Sequence, residues 1–254
     1  MGRLTVVENH CSTEAPIAAS SDIHSPRLLG LFRKVLSEYG YGASFFVLAG
    51  DIVDKGDVDA AGAVFDLIKN KFNNINIISV FGNEEYHDRT SDFKKKYPHV
   101  TWLDDDYKVF ECGDKRIAFI GTRGALERPT RWQRRHMPWL KRVYEERPRV
   151  IKELIVRAKS EADYVVLVSH YALTKATIIG EPKTIWPEIY SPKMEQVLIE
   201  TRPDIAIHGH AHRGRPFALL KGIRVYNVAL PVNRRVVPIF IRKKSTLLDW
   251  LEPG

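Results

Sequence analysis

Five apolar, β-like runs in this chain each stop at residues able to bind a metal ion. Residues 16–20 (PIAAS) lead to Asp22 and His24, and residues 44–49 (SFFVLA) lead to Asp51 and Asp54. Residues 75–81 (INIISVF) lead to Asn83, Glu84 and Glu85, residues 164–169 (YVVLVS) to His170, and residues 204–207 (DIAI) to His208, His210 and His212. Helix-period segments over 27–39 and 60–72 separate the first three runs, the second with Ala61, Val64, Phe65 and Ile68 on one face. A β-α-β-α-β order calls for parallel strands joined by crossover helices. In such sheets the crevice at the carboxyl ends of the strands is where ligands bind. The pattern therefore delivers Asp, His, Asn and His side chains to one rim.

Alternate residues of an extended chain point the same way. Asp22 with His24, and His210 with His212, can each aim two ligands at one place. Mixed imidazole and carboxylate donors suit Mn, Fe, Zn or Ni rather than Ca or Mg alone. One Asp carboxylate can bridge two cations, and a pair roughly 3.5–4 Å apart is the arrangement that cleaves phosphate esters by in-line displacement. Each piece alone has a structural explanation. Asp-x-His fits a capped helix start, Gly50-Asp51 fits a turn, and a lone His170 fits a hydrogen-bonded core histidine. Three alternating histidines after a buried strand are harder to explain that way, and the ordered series of pieces points to a metal site.

The remaining segments read as short strands over 100–103, 107–111 and 116–120, with a hairpin turn at 112–115, then a helical stretch over 129–160 broken at Pro138 and Pro148. A helix over 192–200 and strands over 217–220, 223–228 and 236–241 follow. At about 150 residues per domain the length allows one large or two small domains. With no linker or repeat, the expectation is one domain over 1–254, with a basic helical insertion at about 123–160 forming a small cap. Two cysteines, Cys11 and Cys112, are too few for a disulfide scaffold and suit a reducing compartment. No apolar run approaches the roughly 18 residues of a membrane span, and the N-terminal residues do not resemble a signal peptide. A soluble, cytoplasmic protein is expected, with no membrane partner.

The net charge is +8, from 39 basic and 31 acidic residues. Residues 123–159 hold nine Arg and three Lys against four Glu, which accounts for the whole surplus. Such a segment is either a solvated helical face or a surface for a polyanion.

With these residues in view, the sequence resembles the calcineurin-like metallophosphoesterases. Their motifs in chain order are D-x-H, G-D-x-x-D, G-N-H-[ED], a later His, and G-H-x-H. Here they read Asp22-Ile-His24, Gly50-Asp51-Ile-Val-Asp54, Gly82-Asn83-Glu84-Glu85, His170, and Gly209-His210-Ala-His212. The resemblance implies an α/β fold, a four-layer α/β sandwich of two mixed sheets flanked by helices, with a dinuclear metal centre at its edge. It implies one metal on Asp22, His24, Asp51 and His212, and another on Asp51, Asn83, His170 and His210, with Asp51 bridging. Two divalent ions are the expected cofactors, Mn²⁺ first, with Fe, Zn or Ni also suited. A water or hydroxide held between them is the implied nucleophile.

Glu84 departs from the pattern, which has His there to stabilise the transition state and protonate the leaving group. Beside two cations a glutamate is held as the carboxylate. It then donates no proton and repels a phosphate dianion. Alkyl monoester hydrolysis should suffer most, and esters with good leaving groups and phosphodiesters least. Asp54, which by the resemblance steadies the missing His, would face a like charge unless water, a cation or an Arg intervenes. Arg123, in Gly-Thr-Arg-Gly after a strand, is either a phosphate grip or a turn arginine paired with a surface acid. His208 is expected to be buried and hydrogen-bonded rather than a ligand. Trp132, His136, Trp139 and Tyr144, interleaved with arginines, are expected to be the packed face of a helix in preference to a stacking surface for bases. The expected function is that of a metal-dependent hydrolase, a phosphodiesterase or phosphatase acting on a small phosphodiester, nucleotide or activated phosphate ester. The alternatives are a nuclease using the basic segment and a non-catalytic scaffold of the same fold.

Overall fold

The computed structural model describes Cys11 and residues 15–241. Strand β1 (Ile17–Ser20), helix α1 (Leu29–Ser37), β2 (Phe45–Ala49), α2 (Ala61–Lys71) and β3 (Asn76–Val80) form the expected β-α-β-α-β unit. Helix α3 (Thr90–Lys96) leads to β4 (Thr101–Leu103) and the hairpin of β5 (Asp106–Cys112) and β6 (Lys115–Thr122). Helices α4 (Arg131–His136) and α5 (Leu140–Glu161) connect to β7 (Tyr164–Ser169), and α6 (Pro192–Thr201) connects to β8 (Ile205–His208). Strands β9 (Phe217–Leu220) and β10 (Ile223–Asn227), helix α7 (Leu230–Asn233) and β11 (Val237–Ile239) complete the described chain.

The strands make two mixed sheets, in the orders β11-β1-β2-β3-β4 and β5-β6-β7-β8-β10-β9. Period-2 alternation explains the layers. In β1 and β2, Ala18, Phe46 and Leu48 face helices α1 and α2, while Ile17, Ala19, Phe45, Val47 and Ala49 face the other sheet. In β6 and β7, Ile117, Phe119, Val166 and Val168 meet them from the second sheet, and Ala118, Ile120, Val165 and Leu167 pack beneath α5 and α6. Both faces of each central strand are covered, so the strands read as continuous apolar runs. The result is a four-layer helix–sheet–sheet–helix sandwich with parallel strands β1, β2, β3, β7 and β8 aimed at one rim.

Three sequence expectations need correction. Helix α5 runs unbroken through Pro148, which is buried within it. A mid-helix proline costs on the order of 3 kcal/mol. Here Leu140, Tyr144, Ile151, Ile155 and Ala158 bury on both sides of it, and Arg147 donates to the Gly124 carbonyl (2.7 Å) and to Asp105 (2.8 Å). Second, α5 is the crossover between β6 and β7 and covers the outer face of the second sheet, while α4 lines a cavity together with Asn83 and His210. Third, cysteine usage alone suggests reduced thiols, yet Cys11 and Cys112 are joined in a disulfide across 101 residues of sequence, at the end of β5. Among the described residues no helix is long and apolar enough to cross a membrane.

Candidate metal centre

The chain turns sharply at the strand ends. Asp22, His24, Asp51 and His210 all take positive φ, at 56°, 47°, 49° and 66°. Left-handed backbone is disfavoured for side chains with a Cβ, by on the order of 1 kcal/mol, and such strain gathers at functional sites. Gly50 (φ +82°) lets two loops meet: a Cβ there would lie 2.7 Å from Nδ1 of His170 and 2.8 Å from the Gly82 nitrogen. A Cβ on Gly82 would fall on the Asp51 carboxylate.

Two groups of ligand atoms result, Asp22 with His24 and His212, and Asp51 with His170 and His210, the atoms of each group lying within 4.8 Å of one another. Asp51 stands between them. Its Oδ2 is 3.8 Å from Nε2 of His24, and its Oδ1 is 3.5 Å from Nε2 of His170. Asn83 joins the second group, its Oδ1 3.0 Å from Nε2 of His170. In the first group, Nε2 of His212 lies 2.9 Å from Oδ1 of Asp22.

The surrounding contacts fix which atoms face the rim. Nδ1–H of His170 donates to the Ala49 carbonyl (3.0 Å), which leaves the Nε2 lone pair free. Nδ1 of His24 sits 2.8 Å from Oδ1 of Asp54. Both ring nitrogens of His24 are buried, and neither makes a hydrogen bond of good geometry among the described residues, the Nδ1–Asp54 approach being a short ion-pair contact only. A buried imidazole nitrogen left orphaned between carboxylates fits a metal ion. Arg27 holds Asp54 from the other side with two parallel hydrogen bonds, each 3.0 Å. That answers the like-charge problem between Asp54 and Glu84: an arginine neutralises Asp54.

Electrostatics point the same way. Burial, with Glu85 and Asp22 nearby, pushes the Asp51 carboxyl well above the usual carboxylate range. Burial also opposes ionisation of Asp22, but contacts with His212, His170 and Ser21 outweigh it and hold that carboxyl low. Burial drives the imidazoles of His170 and His210 down, the latter to about 4, so both are neutral. His212 is raised by its hydrogen bond to Asp22. Buried carboxylates this crowded, beside neutral imidazoles, call for positive charge, which divalent cations would supply.

Glu85 performs a task that motif reading did not reveal. It is fully buried and accepts hydrogen bonds from the backbone N–H groups of Asp51, Ile52, Val53 and Gly82 at 2.7–3.1 Å. The carboxylate thereby pins the Asp51 loop to the Asn83 loop; four converging N–H groups after a strand are invisible in sequence. Arg123 is likewise buried. Its Nη1 donates to the carbonyls of Gly82 and Glu85, and its guanidinium lies over the Phe81 ring, 5.1 Å from the centroid. Nη1 thus braces the loop, while Nε and Nη2 are buried without a hydrogen-bond partner among the described residues. His208 is buried, with Nδ1–H donating to the Gly209 carbonyl and Nε2 facing Thr177 Oγ1, both 2.8 Å, as its strand position predicts. Glu84 is half-buried at the rim. Its carboxylate accepts from the Lys55 N–H (2.8 Å), and its own N–H donates to Asp51 Oδ1 (2.8 Å).

The aromatic expectation divides. Tyr144 is core, but Trp132 and Trp139 are 59% and 48% exposed. The basic face of α5 is laced with ion pairs, Arg142–Glu146, Arg149–Glu153 and Arg157–Glu161, plus Lys152–Glu200 to α6. This is the pattern of a solvated helix surface.

The family model for calcineurin-like phosphoesterases matches residues 15–214. The chain belongs to that family. Among solved structures, it resembles the phosphopantetheinyl hydrolase of Mycobacterium tuberculosis, with TM-score 0.59, 16% identity, and 88% of this chain and 92% of that one covered. It also resembles a dimetal phosphatase from Danio rerio (TM-score 0.56, 12% identity, 84% and 87% covered). A putative 5′-nucleotidase from Staphylococcus aureus gives TM-score 0.56 at 18% identity, with 83% of this chain but 48% of that one covered. At these identities the likeness is one of fold. No curated protein matches the chain in sequence. This phosphoesterase thus combines the family's fold with clustered metal-ligating side chains at its strand ends, and its general chemistry is phosphoester hydrolysis.

Proposed function

We propose that this phosphoesterase is a phosphodiesterase for small esters with good leaving groups. Asp22, His24, Asp51 and His212 would hold one divalent cation, and Asp51, Asn83, His170 and His210 the other. Manganese is our choice for both, given mixed imidazole and carboxylate donors. The observation that carries this reading is the placement of the two Asp51 oxygens, one toward each histidine group. When bound, such a pair of ions generates a nucleophile from water at neutral pH and offsets phosphoryl charge.

The chain's own groups set the preference. The Glu84 carboxylate at the rim repels a monoester dianion more strongly than a diester monoanion. As a carboxylate it has no proton for a departing alkoxide, so the leaving group must be stable unprotonated. The Ala49 carbonyl keeps His170 in one tautomer, and Asp54 orients His24.

The test strips the protein of metal, reloads it with Mn²⁺, and compares bis-p-nitrophenyl phosphate with p-nitrophenyl phosphate, with Asp51→Asn as control. Mn²⁺-dependent turnover that favours the diester and vanishes in the control is expected. Equal or better monoester turnover would sink the phosphodiesterase preference.

A further inference from the structure

A cavity of about 660 Å³ opens directly beside the metal centre, touching Asn83 and His210 at one end and running under helix α4. Its far wall holds two exposed tryptophans that the phosphoester chemistry leaves unexplained. Trp132 carries His136 stacked on one face, with centroids 4.7 Å apart and planes 29° from parallel. Trp139 meets the edge of His87 at 5.1 Å. Large aromatic surfaces are exposed at such a cost in hydration that a pair of them lining one cavity marks a binding surface.

The wall is also held still. A reciprocal capping box ties Thr130 to Gln133 at the start of α4, and Nε2 of Gln133 donates to the hydroxyl of Tyr171 (3.2 Å) on the metal-centre side. The α4 backbone that carries Trp132 is therefore tied to the Tyr171 side of the metal centre.

Charge narrows the occupant. The cavity lining contains Glu84 and Asp88 but no Lys or Arg. Burial, with Arg123 and Arg147 nearby, pushes His87 down to about 3, so it is uncharged. A second phosphate or a sugar acid finds no cation there. A flat, uncharged ring bearing N–H groups finds aromatic faces to stack on and carboxylates to accept its hydrogen bonds.

We infer that this cavity receives a nucleobase, so that the substrate is a nucleoside phosphodiester whose phosphate sits at the metal centre and whose base stacks on Trp132 and Trp139. The inference rests on the phosphodiesterase reading for the reaction, but the cavity itself is independent of it. In the reaction, water oxygen bonds to phosphorus and its proton passes to solvent, the bond from phosphorus to the leaving oxygen breaks with its electron pair on that oxygen, the leaving group departs as a stable oxyanion, and a nucleoside monophosphate remains.

Three p-nitrophenyl diesters with the same leaving group separate the possibilities: the thymidine 5′-ester, the methyl ester and the choline ester. The thymidine ester should exceed the methyl ester by about 10-fold or more in kcat/KM, the effect expected of base stacking. Trp132→Ala and Trp139→Ala should each collapse that ratio toward one, the ratio rather than either rate being the readout. No preference for thymidine, or a preference for choline, which aromatic and acidic walls can also attract, would overturn the inference. If none of the three esters is hydrolysed, the phosphodiesterase reading fails, and tryptophan fluorescence then decides the cavity by itself. Saturable quenching by thymidine 5′-monophosphate that Trp132→Ala abolishes supports a base site, and its absence overturns it.

Discussion

Oδ1 of Asp54 stands 2.8 Å from Nδ1 of His24, on the side of the ring turned away from the metal-ligating rim. A carboxylate behind a ligand imidazole fixes its orientation and raises its basicity, and losing one typically costs about 10-fold to 100-fold in metal affinity or activity. Asp54→Ala should therefore weaken Mn²⁺ binding by about that factor, read by titrating metal into stripped protein. Arg27→Ala should change much less, because that side chain is 57% exposed and such pairs contribute little. Equal losses in both variants would assign the effect to the ion pair instead.

Glu85 joins two ligand loops through four backbone donors. Glu85→Gln keeps the shape but replaces one acceptor oxygen by an NH₂ group aimed at N–H groups. Hydrogen bonds to a charged acceptor contribute roughly 1.5–3 kcal/mol each, and an unmet buried donor adds a penalty of similar size. The metal-free variant should lose about 3 kcal/mol or more in urea unfolding. A loss below about 1 kcal/mol would mean that the loops are held by other contacts, such as the Glu84 N–H to Asp51 Oδ1.

Acid should destabilise the metal-free protein through His208. Burial depresses this imidazole from 6.5 to about 4. Between those values the unfolded chain binds the extra proton and the folded one does not, so stability rises with pH there. The contribution is complete above pH 6.5 and is lost as pH falls toward 4, roughly 3 kcal/mol in all. His208→Gln removes the titration. Its stability difference between pH 7 and 4.5 should be smaller than that of the wild type by most of this amount. Identical pH slopes would show that other groups carry the acid sensitivity.

The disulfide makes a further prediction. Closing a loop of about 100 residues removes on the order of 4–5 kcal/mol of unfolded-state entropy in the chain-entropy model. Cys11 and Cys112 are 101 residues apart, so Cys112→Ser should lower stability by several kcal/mol, while reductant should destabilise the wild type and leave the variant unchanged. A variant as stable as the oxidised wild type would refute a stabilising role.

What sequence made legible follows from locality. Ala18, Phe46 and Leu48 alternate with Ile17, Phe45 and Val47 within single short strands, so the layers could be read from the run itself. The ligands follow those strands within a few residues, so their convergence on one rim was legible too. Arg123 was ambiguous because its partners, the carbonyls of Gly82 and Glu85, lie about 40 residues away and leave no side-chain signal. Pro148 misled because local helix propensity was outweighed by the burial of Tyr144 and Ile151 around it. Trp132 and Tyr144 occupy the same aromatic pattern, yet one is exposed and the other is core; only the path of the chain between α4 and α5 separates them.

Glu84 provides the sharpest test of the reaction. Its carboxylate lies at the rim, half-buried, held by the Lys55 N–H and one residue from Asn83. Histidine at this position restores a group able to donate a proton and removes a negative charge facing the phosphate. General acid catalysis contributes about 10²–10⁴-fold where the leaving group is poor, and little where it is already stable as an anion. Glu84→His should therefore raise turnover of an alkyl monoester by at least about 10-fold. Turnover of bis-p-nitrophenyl phosphate should change far less, so the ratio of the two is the measured quantity. Glu84→Gln separates the two contributions: it removes the charge without supplying a proton donor, and should recover only the part due to repulsion. A Glu84→His variant that keeps its metals and shows no gain on the monoester would mean that the carboxylate itself takes part, through its hold on the Lys55 turn or through the substrate.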